Sequence, residues 1–280
     1  MAGGETDLAE HAAQLRYRAD GLLIRMAREV RDGDLVLIGA AAVLPQLAVA
    51  FAQESRGVRP WIIDSSGHLS HGLMTRLTPH PMPGAGPRSW SVASIVALLT
   101  RRLYADCIEF LRPAQVDAAG ALNLSRIYRT SGGFLQLPGM AGIPNVAASS
   151  RRGVLYLPQH SAEVLCSQVD HVSGTLSPHL THRVHTELGV FTFESGRLRA
   201  LEIAAGVTAG EVAERTGFPL DGLNAAVSGE QVTAADRALI EMIDPNGLRA
   251  LEVSSGQLRR ALLAEILQQS GSAAADVTRE

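Results

Sequence analysis

The stretch Asp34-Leu35-Val36-Leu37-Ile38-Gly39, taken with Arg59-Pro60-Trp61-Ile62-Ile63-Asp64 downstream, decides the fold. Leu35 to Ile38 are consecutive apolar residues between Asp32-Gly33-Asp34 and Gly39, the pattern of a short strand buried on both faces. Ahead of it, Leu15, Leu22, Leu23, Met26 and Val30 recur near helical spacing over residues 8–31, and Gly33 follows as a stop signal. Behind it, residues 45–54 predict a helix with Pro45 at its start. Residues 59–64 then read as a second buried strand, broken by Ser65-Ser66-Gly67. Strand, helix and strand in so short a span make a parallel α/β unit.

Outward from this unit, Pro79, Pro81, Pro83, Gly84, Gly86 and Pro87 mark a loop over residues 77–88, and residues 91–103 predict a helix. Residues 107–111 and 153–158 are the third and fourth strands, separated by a Gly- and Ser-rich stretch from Thr130 to Ser150. Residues 190–193 and 198–203 flank Glu194-Ser195-Gly196-Arg197 as a β-hairpin. Thr208 and Glu211 are spaced as a capping box for a short helix. Residues 234–252 and a polar helix over 257–269 follow, and the small, charged tail from Gly271 to Glu280 is expected to be flexible. The fold class is α/β: an open, mostly parallel sheet flanked by helices, with a C-terminal β-hairpin and helices. Residues 18–252 form one core domain, with extensions at 1–17 and 253–280. Ligands of such sheets sit at the carboxyl ends of the strands, here after Ile38, Asp64, Leu111 and Pro158.

Composition narrows the function. Of 280 residues, 46% are hydrophobic and 19% charged, with a formal net charge of −3. No basic run stands out, which argues against nucleic acid or an anionic membrane as partner. Aromatic content of 4% gives no stacking platform. Gly39, Pro45 and Gln46 split the most apolar stretch, so no membrane span is expected. Glu5, Asp7 and Glu10 are unlike a secretion signal. Cys107 and Cys166 lie in apolar runs and read as buried free thiols. A cytoplasmic protein is the expectation.

The chemistry concentrates between residues 113 and 150. Gln115, Asp117, Gly120 and Asn123 precede Leu137-Pro138-Gly139-Met140-Ala141-Gly142-Ile143-Pro144-Asn145. Gly139 and Gly142 let backbone N–H groups approach a ligand, and a helix beginning near Asn145 would aim its positive end at an anion. A plain glycine-rich turn reads equally well from these residues alone. The arrangement resembles the β subunit of the glutaconate-type, family I CoA-transferases, with their "AQVD…G…N" stretch and "LPG-x-GG-x-ND" loop. Asp34 to Gly39, Val169-Asp170, Thr186 to Phe191, Gly206-Val207 with Thr216-Gly217-Phe218, and Ile243-Asp244-Pro245 match further family segments in order, over roughly residues 20–250.

The resemblance implies a CoA-transferase (NagB-like) fold, an α-type partner subunit and an acyl-CoA thioester or acid as substrate, with no permanently bound cofactor. It also implies Gly39, Gly67, Gln115, Asp117, Asn123, Gly139, Met140, Ala141, Gly142 and Asn145 as CoA or substrate contacts. In the family, a glutamate after the second strand attacks the thioester. Here the run is Asp64-Ser65-Ser66-Gly67, with Ser65 at the glutamate's place, and a serine cannot form that acyl anhydride. Three accounts follow: an inactive subunit completing its partner's site, a carboxylate supplied by the α partner, or Asp64 as substitute. Divergence to hydrolysis or to C–C bond chemistry fits the loss, with His68 or His71 as a base beside Ser65.

Other polar residues carry two readings each. His171, His179, His182 and His185 cluster without completing a metal signature. Glu109 is an isolated acid in an apolar strand, either salt-bridged or functional. Arg126 and Arg129 are either a solvated pair or phosphate contacts.

Overall fold

The computed structural model of the chain describes residues 2–39, 42–64, 68–71, 88–89, 107–140, 144, 150 and 152–277. Ser65, Ser66, Gly67, Ala141, Gly142, Asn145 and the helix expected at 91–103 lie outside them. Helix α1 (Ala2–Ala27) leads into β1 (Leu35–Ile38), α2 (Val43–Arg56) and β2 (Trp61–Asp64). β1 and β2 pair in parallel with Ile38 level with Asp64, as the opening stretch implies. Instead of ending at Ser65-Ser66-Gly67, the chain returns as β3 (His68–His71), antiparallel to β2, and then as β4 (Arg88–Ser89).

β5 (Ile108–Leu111) lies in the main sheet, and after it the chain enters a small second sheet. There β6 (Gln115–Asp117) and β7 (Ala121–Asn123) form a hairpin, flanked by β11 (Leu165–Cys166) and β12 (Gly174–Thr175). Between them β8 (Arg126–Tyr128) and β9 (Phe134–Gln136) make a two-stranded ribbon inside the stretch expected to be irregular. β10 (Arg152–Leu157), β13 (His182–Thr186), β14 (Gly189–Glu194), β15 (Arg197–Ile203) and β16 (Val227–Ser228) complete the main sheet. Its order is β16-β15-β14-β13-β10-β5-β1-β2-β3-β4, with β2, β1, β5, β10 and β13 parallel at the centre. The expected β14–β15 hairpin is present, and its two turn residues, Ser195 (φ 52°) and Gly196 (φ 76°), both take the left-handed conformation of a tight hairpin turn.

One face of the centre, through Val36, Ile38, Ile62, Ile108, Phe110 and Val154, packs on Leu22, Leu23 and Met26 of α1 and on Leu47 and Phe51 of α2. Each fully buried side chain of this kind contributes about 1.5–3 kcal/mol against the chain entropy. The opposite face, through Leu111, Leu155, Leu157 and Val184, carries Val116, Leu122 and Leu165 of the small sheet. β5 can serve both layers because it alternates Ile108 and Phe110 with Glu109 and Leu111.

C-terminal to the sheet come α3 (Ala209–Glu214), α4 (Ala234–Ile243), α5 (Arg249–Val253) and α6 (Gly256–Val277). The Thr208 hydroxyl accepts the Glu211 N–H at α3, and α4 carries a complete capping box from Thr233 and Asp236. α6 runs past Gly271, where a flexible tail was expected, because Ala273-Ala274-Ala275 are strong helix formers. Arg249, 1% exposed, is held by Asp20 (2.7 Å), Asp244 (2.9 Å) and Glu241, which ties α5 to α1 and α4.

Candidate active site

In chain order the parallel strands read second, first, third, fourth, fifth across the sheet, so the winding reverses between β1 and β5. A crevice opens at the carboxyl ends of the strands at such a point. From β1 it receives Gly39, which is exposed with open space around it. From β5 it receives Arg112. The first turn of α2 has no side-chain cap and no acid. Instead Glu252 of α5 accepts the Val43 N–H (2.8 Å) through one oxygen and binds Arg112 through the other. Arg112 also donates to the Glu252 carbonyl (2.9 Å). Glu252 is 2% exposed, so a carboxylate from 209 residues downstream fills the helix terminus at the switch point. Sequence spacing gave no signal for this pair. Burial and then the Glu252 carboxylate hold the neighbouring Tyr156 phenol well above its ordinary range, so it stays neutral.

Asp64 ends β2 level with Ile38, at this same edge. Ser65, Ser66 and Gly67, which follow it in sequence, lie outside the described residues. His68 begins the return strand β3. His71 pairs with Trp61 at the far end of β2 and so stands about 10 Å along the strand from His68.

Gln115, Asp117 and Asn123 are buried and spent on internal bonds. Gln115 Oε1 accepts the Asn123 side-chain amide (2.7 Å) and the Asp170 N–H (2.9 Å). Asp117 accepts the Ala119 and Ala121 N–H groups, closing the β6–β7 turn around Gly120. Asn123 accepts from Ser125 and donates to the Arg126 carbonyl. These residues shape the loop that follows: Leu137 and Gly139 are tied by their N–H groups to the Ser125 and Leu124 carbonyls (both 2.9 Å). Gly139, with φ 101°, has no atom of the described residues within 4 Å of where a side chain would begin, so among them its backbone faces open space beside the exposed Met140.

Several other candidates separate. His182 and His185 are buried on β13, and His185 bonds Glu29 (3.1 Å), whereas His179 is exposed. Among the described residues no group of three or more His, Cys, Asp or Glu could hold a metal. Arg126 lies over the Phe134 ring (4.9 Å), and Arg129 is exposed. Cys107 and Cys166 are both buried. Among the described residues, no helix is long and apolar enough to cross a membrane.

No protein-family model matches the chain. It is 34% identical over 154 residues to the IpdB subunit of the cholesterol ring-cleaving hydrolase of Rhodococcus jostii RHA1, covering 50% of this chain and 60% of that one. It is 26% identical over 199 residues to the acetate CoA-transferase β subunit of Escherichia coli K12, covering 69% of this chain and 88% of that one. Among solved structures it resembles the decarboxylase AibA/AibB at TM-score 0.71 and 25% identity, over 85% of this chain and 99% of that one. Glutaconate CoA-transferase of Acidaminococcus fermentans shares the fold at TM-score 0.68 and 19% identity, over 85% and 98%. The relatives by sequence and the structural neighbours are subunit-B-like proteins, and the chain shares the CoA-transferase fold, spanning 60% of the length of the Rhodococcus relative it matches.

Proposed function

We propose that this chain is the β-type subunit of a heteromeric enzyme that acts on an acyl-CoA or related thioester, diverged from CoA exchange toward hydrolysis or C–C bond chemistry. The observation that carries this is the sequence that follows β2. Ser65, the residue after Asp64, stands in the sequence where the resemblance puts a nucleophilic glutamate, and Asp64 itself ends β2 level with Ile38 of β1. A relative that is a ring-cleaving hydrolase and a structural neighbour that is a decarboxylase fit that direction. The A/B naming of those proteins supports an α-type partner. The half-buried Gly139 backbone, which faces open space among the described residues, is the part of this chain best suited to meet a thioester oxygen or the CoA chain.

A second reading, in which the subunit completes its partner's site and contributes no reacting group, has one observation behind it. Two described carboxylates just past the strand ends are already engaged, Glu252 by Arg112, which follows β5, and Glu187, which follows β13, by Arg215 (2.5 Å). A reactive carboxylate would then come from the α subunit.

Co-expression with an α-type partner separates the two. Thioester hydrolysis, carbon-skeleton cleavage and CoA exchange are assayed for wild type, Ser65→Ala, Ser65→Glu, His68→Ala and His71→Ala. The first reading expects thioester turnover without CoA exchange, and a gain of exchange in Ser65→Glu. Efficient CoA exchange by wild type would overturn it. Unchanged turnover in all three alanine variants assigns the chemistry to the partner.

A further inference from the structure

At the C-terminal end of α2, about 20 Å along that helix from the strand-end crevice, a cavity of about 230 Å³ opens between α1, α2 and the segment leading into α4. Its lining includes Gly21, Arg25, Arg28, Arg56, Glu230 and Asp236. Three arginines converge there, and their partners differ. Arg28 is neutralised by Glu202 (2.9 Å) and Glu230 (3.2 Å). Asp236 is occupied by the Thr233 capping box. Arg25 and Arg56 make their described hydrogen bonds only to backbone carbonyls: Arg25 to Thr186 (2.9 Å) and Glu187 (3.1 Å), Arg56 to Ala27 and Val30.

Arg25 is 6% exposed, and its Nε is buried without a hydrogen-bond partner among the described residues. Gly21, one helical turn earlier, leaves room for Nη1: a side chain there would begin 3.2 Å from that atom. A guanidinium taken out of water with an unmade donor is costly, and an anion in the cavity relieves that cost. Burial lowers the Arg25 pKa to about 10 and also lowers that of Arg56, as expected where no carboxylate compensates fully.

We infer that this cavity is a binding site for a small oxyanion, a carboxylate or phosphate group held between the Arg25 and Arg56 guanidiniums, separate from the strand-end crevice. Carbonyl partners orient both forks and leave donors free, the arrangement that suits oxyanion recognition. Glu230, at the rim with 88% of its side chain exposed, opposes the anion's charge.

Isothermal titration of the full chain with inorganic phosphate and with succinate, at constant ionic strength against chloride, tests the site. Saturable one-to-one binding of either ion supports it, and which one binds distinguishes phosphate from carboxylate. Arg25→Met and the surface variant Arg56→Gln are each expected to weaken binding about tenfold. Glu230→Gln, which cannot threaten the fold, is expected to tighten it about threefold. The inference is overturned if neither ion binds saturably, or if affinity is the same in Arg56→Gln and Glu230→Gln as in wild type.

Discussion

Replacing Glu109 with glutamine should make the protein more stable at neutral pH and leave it unchanged in acid. Glu109 lies on β5 between Leu37 of β1 and Gly153 of β10 in register, and no described group pairs with its carboxyl. Burial alone pushes its pKa up from the ordinary 4.5 to about 7. An acid whose folded pKa is raised holds its proton more tightly in the native state, so native stability falls as pH rises between those two values. At about 1.4 kcal/mol per pH unit, the loss relative to an uncharged side chain reaches about 2 kcal/mol at pH 6 and about 3 kcal/mol at pH 8. The upper figure is a ceiling, since the half-buried carboxylate keeps some solvent. His182, whose Nδ1 lies 2.8 Å from where a side chain on Gly153 would begin, titrates in the opposite sense, because burial lowers its pKa. The difference between wild type and Glu109→Gln is therefore the informative quantity. Urea unfolding of both proteins from pH 4.5 to 8 measures it. A difference that stays flat across that range refutes an unpaired, desolvated Glu109.

Three further outcomes follow from the same physics. Arg249→Met leaves Asp20 and Asp244 buried without their cation and should cost about 3–5 kcal/mol in a denaturation midpoint at pH 7. Burial already raises both acids' pKa values, so the deficit should shrink as pH falls and they take up protons. Gly120→Ala forces a side chain into the Phe193 ring at φ 81°, and a loss of about 2–3 kcal/mol in thermal or urea unfolding is expected. Glu252→Gln keeps an acceptor for Val43 N–H but breaks the charge pair. A double-mutant cycle with Arg112→Gln should show a coupling of about 1–2 kcal/mol, and a coupling near zero would remove Glu252 as the tie between α5 and the crevice.

The consecutive apolar residues of β1 and β2, the Ser195-Gly196 turn and the glycine stop signals are local codes, so the sequence alone determined the parallel α/β unit and the β14–β15 hairpin. The same holds for the edge at which Asp64 ends β2, because strand ends follow from strand identity. Tertiary structure decided the rest, for three physical reasons. β3 and β4 are short edge strands with little apolar signal, and they exist because β2 offers its free backbone groups. Gln115, Asp117 and Asn123 are ligand contacts by the family resemblance, but the sequence could not show that side chains this buried also find partners within the chain, in a turn, in one another and at Asp170. Glu252 reaches Arg112 and α2 across a gap that no spacing rule spans, because Arg249 anchors α5 on Asp20 and Asp244. The sequence thus located the strand-end turn by pattern. Only long-range ion pairing and burial settled which polar side chains around it are already taken.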